Sequence, residues 1–232
     1  MREKRIPFSA ITVVLLVLAV GLLLFSTIGG ARAALGDPAT YSAEVSMKSI
    51  GLVLNENGTP IEDGKLLSRL LSGQEDFVPG KSYDEVLTVS NTGKIDEYVR
   101  LTIYRYWLGE NGKRTDLDPA LIRLTLGTDG WVEDKDASTA ERTVLYYTKP
   151  LEAEGDPTSA ALTAVMVDNA VATGVQQVRS GNTITTIYAY DGMQFGLEIE
   201  VDGVQTHNAA DAILSAWGIE TTVGADGTLS LN

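Results

Sequence analysis

One histidine and no cysteine narrow the chemistry that these 232 residues can carry. Cys/His catalysis is excluded, His207 alone cannot supply two imidazole ligands, and no His-Glu-x-x-His helix occurs. A Ser/His/Asp triad would have to be built on His207, but there is no Gly-x-Ser-x-Gly elbow. His207 therefore reads as a helix-start residue, hydrogen-bonded or solvated. Asp129, Glu133, Asp134 and Asp136 offer oxygen ligands to a hard cation, yet they lack the Asp-x-Asp-x-Asp-Gly order of a calcium hand. Asn57-Gly58-Thr59 fits a glycosylation sequon and equally a tight turn. No cofactor or metal follows from this inventory, and the chain reads as a non-enzyme.

The remaining candidate for recognition is aromatic. Along residues 98–107, Val99, Leu101, Ile103 and Trp107 share one face of an alternating segment, and Tyr98, Arg100, Tyr104 and Tyr106 share the other. The aliphatic face is expected in the core. The tyrosines are either a platform for a carbohydrate or protein ligand or part of the packing between sheets, since a phenol ring suits both.

The elements that position these residues are strands. Short alternating segments are separated by Asn-Gly and Asp-Gly pairs at positions 57–58, 63–64, 129–130, 191–192, 202–203 and 226–227, which supply positive φ at little cost. Tyr41, Ala43, Val45 and Met47 line one face of a first strand, and Ile50, Leu52 and Leu54 continue it after a one-residue slip that suits a bulge near Ser49. Leu66, Leu67, Leu70 and Leu71 recur at helical spacing and predict a short helix over 65–71, packed on the core.

Residues 83–91 and 98–107 read as a hairpin turning at Asn91-Thr92-Gly93. Further strands are expected at 123–126, 143–148, 171–179 and 183–190, the last two joined by Ser180-Gly181-Asn182. The segment 193–202 shows the cleanest alternation in the chain, with a polar face expected to be wet. Asn208 can cap a helix carrying Ala209, Ile213, Leu214 and Trp217, Gly218 suits its end, and the helix reads as a lid on one end of a sandwich. A last hairpin is expected around Asp226-Gly227. The fold class is mainly β, a jelly-roll-like β-sandwich with one or two short helices behind a signal-peptide helix.

That leader is read from charge and hydropathy. Arg2, Lys4 and Arg5 precede an uncharged apolar run, Gly29 and Gly30 break it, and Ala31-Arg32-Ala33 places small residues where a signal peptidase reads them. Cleavage before Ala34 leaves residues 34–232 as one domain after a signal peptide at 1–33. An uncleaved leader would instead be a membrane anchor, because the run approaches the ~20 residues needed to span a bilayer. Both readings put the body outside the cell. The formal charge is −13, and removing four cations and one anion with the leader makes the remainder more acidic still. Nucleic acid is thereby excluded as a partner, since binding it needs a basic face. Without cysteines no disulfide supports the exported chain, so its core must stabilise it alone. The C-terminus carries no Leu-Pro-x-Thr-Gly signal, so retention at a surface is expected to come from assembly.

Two stretches carry a family resemblance. Ser26-Thr27-Ile28-Gly29-Gly30-Ala31-Arg32-Ala33-Ala34-Leu35 resembles leaders handled by signal peptidase W of Gram-positive bacteria. Val78-Pro79-Gly80-Lys81, with the run from Leu87 through Asn91-Thr92-Gly93 to Leu101, resembles the TasA and camelysin (CalY) family of biofilm matrix proteins. The likeness covers the leader and residues 41–107, and the rest is similar to an uncharacterised gut-clostridial branch. The resemblance implies a jelly roll that polymerises into extracellular fibres by lending its N-terminal strand to a neighbour. Camelysin is also classed as a metallopeptidase, but the ligands for that chemistry are missing here. Strand lending makes Tyr41, Ala43, Val45 and Met47 the donor positions. The same residues equally suit a first strand within their own chain.

Overall fold

A computed structural model describes residues 41–47, 51–61, 66–67, 70, 78–180 and 183–232. The strict alternation at 193–202 forms β13 (Gln194–Gln205), which pairs antiparallel along its whole length with β5 (Glu97–Gly109). Register places Phe195, Leu197, Ile199 and Val201 on the same face as Trp107, Ile103, Leu101 and Val99, and all eight are buried. Arg105 shares that inward face. Its guanidinium satisfies itself on two backbone carbonyls, Ala140 at 2.7 Å and Ile122 at 3.1 Å, and burial lowers its pKa.

This first sheet runs β1 (Tyr41–Met47), β13, β5, β9 (Arg142–Tyr147), β8 (Trp131–Glu133), with β6 (Gly112–Arg114) folded back on the end of β5. The facing sheet runs β3 (Thr59–Pro60), β2 (Leu52–Glu56), β4 (Ser82–Asn91), β10 (Leu162–Val167), β7 (Ile122–Leu126). The chain crosses between the sheets from β1 to β2, from β4 to β5, from β6 to β7, from β7 to β8, from β9 to β10 and from β10 to β13. These crossings make a jelly-roll-like β-sandwich, as expected. Two separate ribbons complete the strands, β11 (Val175–Ser180) with β12 (Thr183–Tyr188) and β14 (Thr221–Val223) with β15 (Leu229–Leu231).

The crossing from β4 to β5 replaces the expected hairpin at Asn91-Thr92-Gly93. The two strands lie in opposite sheets because buried Asn91 shapes the link itself. Its Nδ2 donates to the carbonyls of Ile95 (2.7 Å) and Leu151 (3.1 Å), and its Oδ1 accepts from Gly93 N–H at 2.8 Å. Gly51 packs against this link at φ +104°, with room for no side chain: a Cβ there would sit 2.6 Å from Gly93 Cα. The slip in the first strand likewise marks a change of sheet, since β1 and β2 belong to different ones, although Ser49 itself lies outside the described residues.

Three local expectations are corrected. Leu66, Leu67 and Leu70 are buried as expected, but Leu67 adopts φ +62° and is not helical; residues 65, 68, 69 and 71 of the expected helix lie outside the described residues. Residues 171–173 belong to a short helix, α1 (Ala170–Thr173), with Val171 buried, and the strand begins only at Val175. Asn208 takes a left-handed conformation and makes no side-chain cap, whereas Gly218 does end α2 (Ala209–Trp217) at φ +73° with its N–H on the Leu214 carbonyl.

Helix α2 also covers a different surface from the one expected. Its Ala209 and Ile213 pack with Tyr98, Val144, Tyr146, Val204 and Leu229 into a second apolar cluster on the outer face of the first sheet. The polar face of β13 is consequently not wet throughout: Asp202 is buried there.

Candidate functional site

The proposed leader, with Ala31, Ala33 and Ala34 at its cleavage site, lies outside the described residues. Among the described residues no helix is long and apolar enough to cross a membrane.

The donor-strand positions are found at a sheet edge. β1 pairs parallel with β13, the one parallel ladder in a sheet whose other pairings are antiparallel. It places Tyr41, Ala43, Val45 and Met47 opposite Phe195, Leu197, Ile199 and Val201. The apolar positions of β1 thus fall in register with the core face of β13, and Val45, half-buried, packs against that core. Pairing of this kind is carried by backbone hydrogen bonds to a strand whose other side is already occupied by β5. Among the described residues the outer side of β1 has no neighbour in the sheet order.

The aromatic face separates into two parts. Tyr98 is 1% exposed, lies under the C-terminal ribbon, and donates its hydroxyl to the Gly227 carbonyl at 2.7 Å. It is therefore not part of any open platform. Its hydroxyl pKa is raised, first by burial and then by the negative charge of Asp226. Tyr104 and Tyr106 are half-buried and remain reachable. Tyr104 stands opposite Glu198 across the β5/β13 ladder. The Tyr106 ring lies over its register partner Gly196, in the space a Cβ would need, and Lys113 Nζ sits over the ring, 5.2 Å from its centroid.

Between these parts Arg100 and Asp202 form a 2.8 Å ion pair, and Arg100 lies 5.4 Å from the Trp217 ring centroid, so a cation and an indole fasten α2 to the sheet. This arrangement was not legible as a site. The alternation puts Arg100 on the aromatic face, but its partner is 102 residues away.

The acidic segment lines a cleft of about 450 Å³ formed by Glu133, Asp134, Lys135 and Asp136 with Ile219, Glu220, Leu231 and Asn232. Asp134 Oδ1 accepts from the backbone N–H groups of Asp136 and Ala137, each at 3.0 Å, which fixes the turn. Among the described residues no group of three or more His, Asp and Glu gathers in a metal-binding arrangement. Asn57 also serves its turn: its Oδ1 accepts from Val86 N–H at 2.9 Å and its backbone is left-handed at φ 50°. His207 is exposed.

No family model matches the sequence, and no curated protein matches it. A chain in the crystal structure of the CaDoc0917–CaCohA2 complex at pH 5.5 is 9% identical, covering 71% of this chain and 99% of that one at a TM-score of 0.25. A likeness that distant carries no argument.

Proposed function

We propose that this chain is an exported, non-enzymatic structural subunit of extracellular fibres or matrix, of the TasA and camelysin kind, which assembles when β1 of one copy occupies the edge of β13 in the next. The observation that carries this reading is the parallel seating of β1 at a sheet edge that is open among the described residues, a few residues after the segment read as a leader. Backbone hydrogen bonds to β13 are satisfied equally well by the same strand from a neighbour, so exchange conserves the ladder while linking copies. The acidic surface and the single exposed His207 favour a structural role over a catalytic one.

Protein beginning at Ala34 should form filaments visible by electron microscopy, and secreted material should begin at Ala34 on N-terminal sequencing. Deleting residues 34–47 should abolish the filaments, and a peptide of residues 34–47 should bind the truncated body. Persistent monomers of the longer form at high concentration, or filaments without β1, would overturn the reading.

The rival reading is a monomeric binding module using Tyr104 and Tyr106, and their partial exposure is what favours it. Binding on a glycan array that disappears in Tyr104→Ala would support it over assembly.

A further inference from the structure

Two carboxyl groups face inward on neighbouring strands of the second sheet. Glu56 continues the core face of β2 after Leu52 and Leu54, and Glu85 lies between Tyr83 and Leu87 on the core face of β4. Glu56 stands opposite Leu87 in the ladder, which brings Glu85 beside it. Their exposures are 5% and 0%.

The surroundings offer Glu85 little to hold a negative charge. Its Oε2 accepts one bond from Asn57 Nδ2 at 3.3 Å, its Oε1 accepts none, and among the described residues no Lys or Arg bonds to it. From β2 the groups facing it are the Glu56 carboxyl and the Asn57 amide. Its own strand adds Tyr83 and Leu87. Of the third element packed here, the described residues are the buried leucines 66, 67 and 70, and the Leu67 N–H bonds to Glu56 Oε1. Leu67 makes that bond from a left-handed backbone, φ +62°, that leucine rarely adopts. Burial first, and then the neighbouring Glu56, push the Glu85 carboxyl up to about 8, with Asn57 opposing.

We infer that Glu56 and Glu85 share one proton in the folded core and make this end of the sandwich pH-sensitive. With the proton present, Glu85 is neutral and can donate toward Glu56, whose carboxylate holds the Leu67 amide. Once the proton leaves, two like charges face each other at a site where, among the described residues, the Asn57 amide alone donates to Glu85. The side that yields is the one outside the β2/β4 ladder, so water enters and Leu66, Leu67 and Leu70 lose burial. This inference is independent of the assembly reading.

The test uses protein beginning at Ala34 and two readouts. Infrared spectroscopy near neutral pH should show a protonated-carboxyl band that Glu85→Gln removes. Raising the pH from about 6 to about 9.5, through the range that the raised carboxyl implies, should increase binding of an apolar dye several-fold and speed exchange at the Leu67 amide beyond its ordinary base catalysis. Glu85→Gln, which keeps the shape without the charge, should show neither change. No carboxyl band, no rise, or an equal rise in Glu85→Gln overturns the inference. Should that variant fail to fold, Glu56→Gln serves instead. Removing the neighbouring charge should move the transition to lower pH, and an unmoved midpoint overturns the inference.

Discussion

Tyr98, in the middle of the first sheet, donates its hydroxyl to the carbonyl of Gly227, 129 residues away in the turn of the C-terminal ribbon, at 2.7 Å. The ring itself belongs to the cluster under α2, so one side chain contributes both apolar area and a polar tie. Tyr98→Phe keeps the ring and loses the tie, and should cost about 1 kcal/mol. Tyr98→Ala empties the site and should cost about 3–5 kcal/mol. Urea unfolding of both variants separates the two contributions, and equal losses would mean that the ring contributes little.

Asn91 is the residue that turns an apparent hairpin into a sheet crossing. Asn91→Ala removes its bonds to Ile95, Leu151 and Gly93, and net losses of about 1 kcal/mol per bond give about 2–4 kcal/mol. Asn91→Asp should be worse at neutral pH, because a buried carboxylate would then face two carbonyl oxygens that Nδ2 now serves. Acidification should restore part of that loss as the carboxyl protonates and regains a donor. Urea midpoints at pH 4.5 and 7.5 test the sign, and a loss in Asn91→Asp that does not change with pH contradicts it.

The strands were legible where one face is aliphatic and the other largely polar or aromatic. β13 reads directly because Phe195, Leu197, Ile199 and Val201 alternate with polar residues, and the same holds for β5. β10 was not recognised because Leu162, Ala164, Val165 and Val167 are all buried and the segment shows no alternation. The β4/β5 link misled because alternation and an Asn-x-Gly turn look the same whether the next strand returns to the same sheet or crosses to the other. Which occurs depends on what Asn91 finds at Leu151, 60 residues on. The buried carboxyls did leave a signal: Tyr83, Glu85, Leu87 and Val89 share one parity, so the alternation that put Leu87 in the core put Glu85 there as well. The aromatic face failed at Tyr98 for a complementary reason, since period two identifies a face but not the helix laid across it.

Helix α2 depends on a mixed anchor. Arg100 is 23% exposed and Asp202 9% at the side chain, so their pair is screened less than a surface bridge, and Arg100 also lies over Trp217. Asp202→Asn should cost about 1.5–3 kcal/mol as a charge-assisted bond is lost. In a double-mutant cycle with Trp217→Leu the two losses should not add, because both act through the guanidinium of Arg100. Strict additivity would show that the indole contributes area alone.

The buried Glu85 carboxyl fixes the sign of a pH dependence. Its ordinary value is 4.5 and its folded value is raised to about 8, so between those limits the folded state holds a proton that the unfolded chain has released. Its contribution to stability is complete below about 4.5, declines as the pH rises through the window, and is gone above about 8. Asp168 and Asp226 act oppositely and elsewhere. The backbone N–H groups of Ala170 and Thr228 hold them below their ordinary values, so what they contribute is lost only as the pH falls into the acid range. Glu85→Gln does not titrate, and its stability relative to the parent should therefore improve with rising pH, by at most about 1.4 kcal/mol per pH unit. Urea unfolding of both proteins at pH 5, 6, 7 and 8 measures this difference directly. Curves that run parallel across the range would place the proton somewhere other than Glu85.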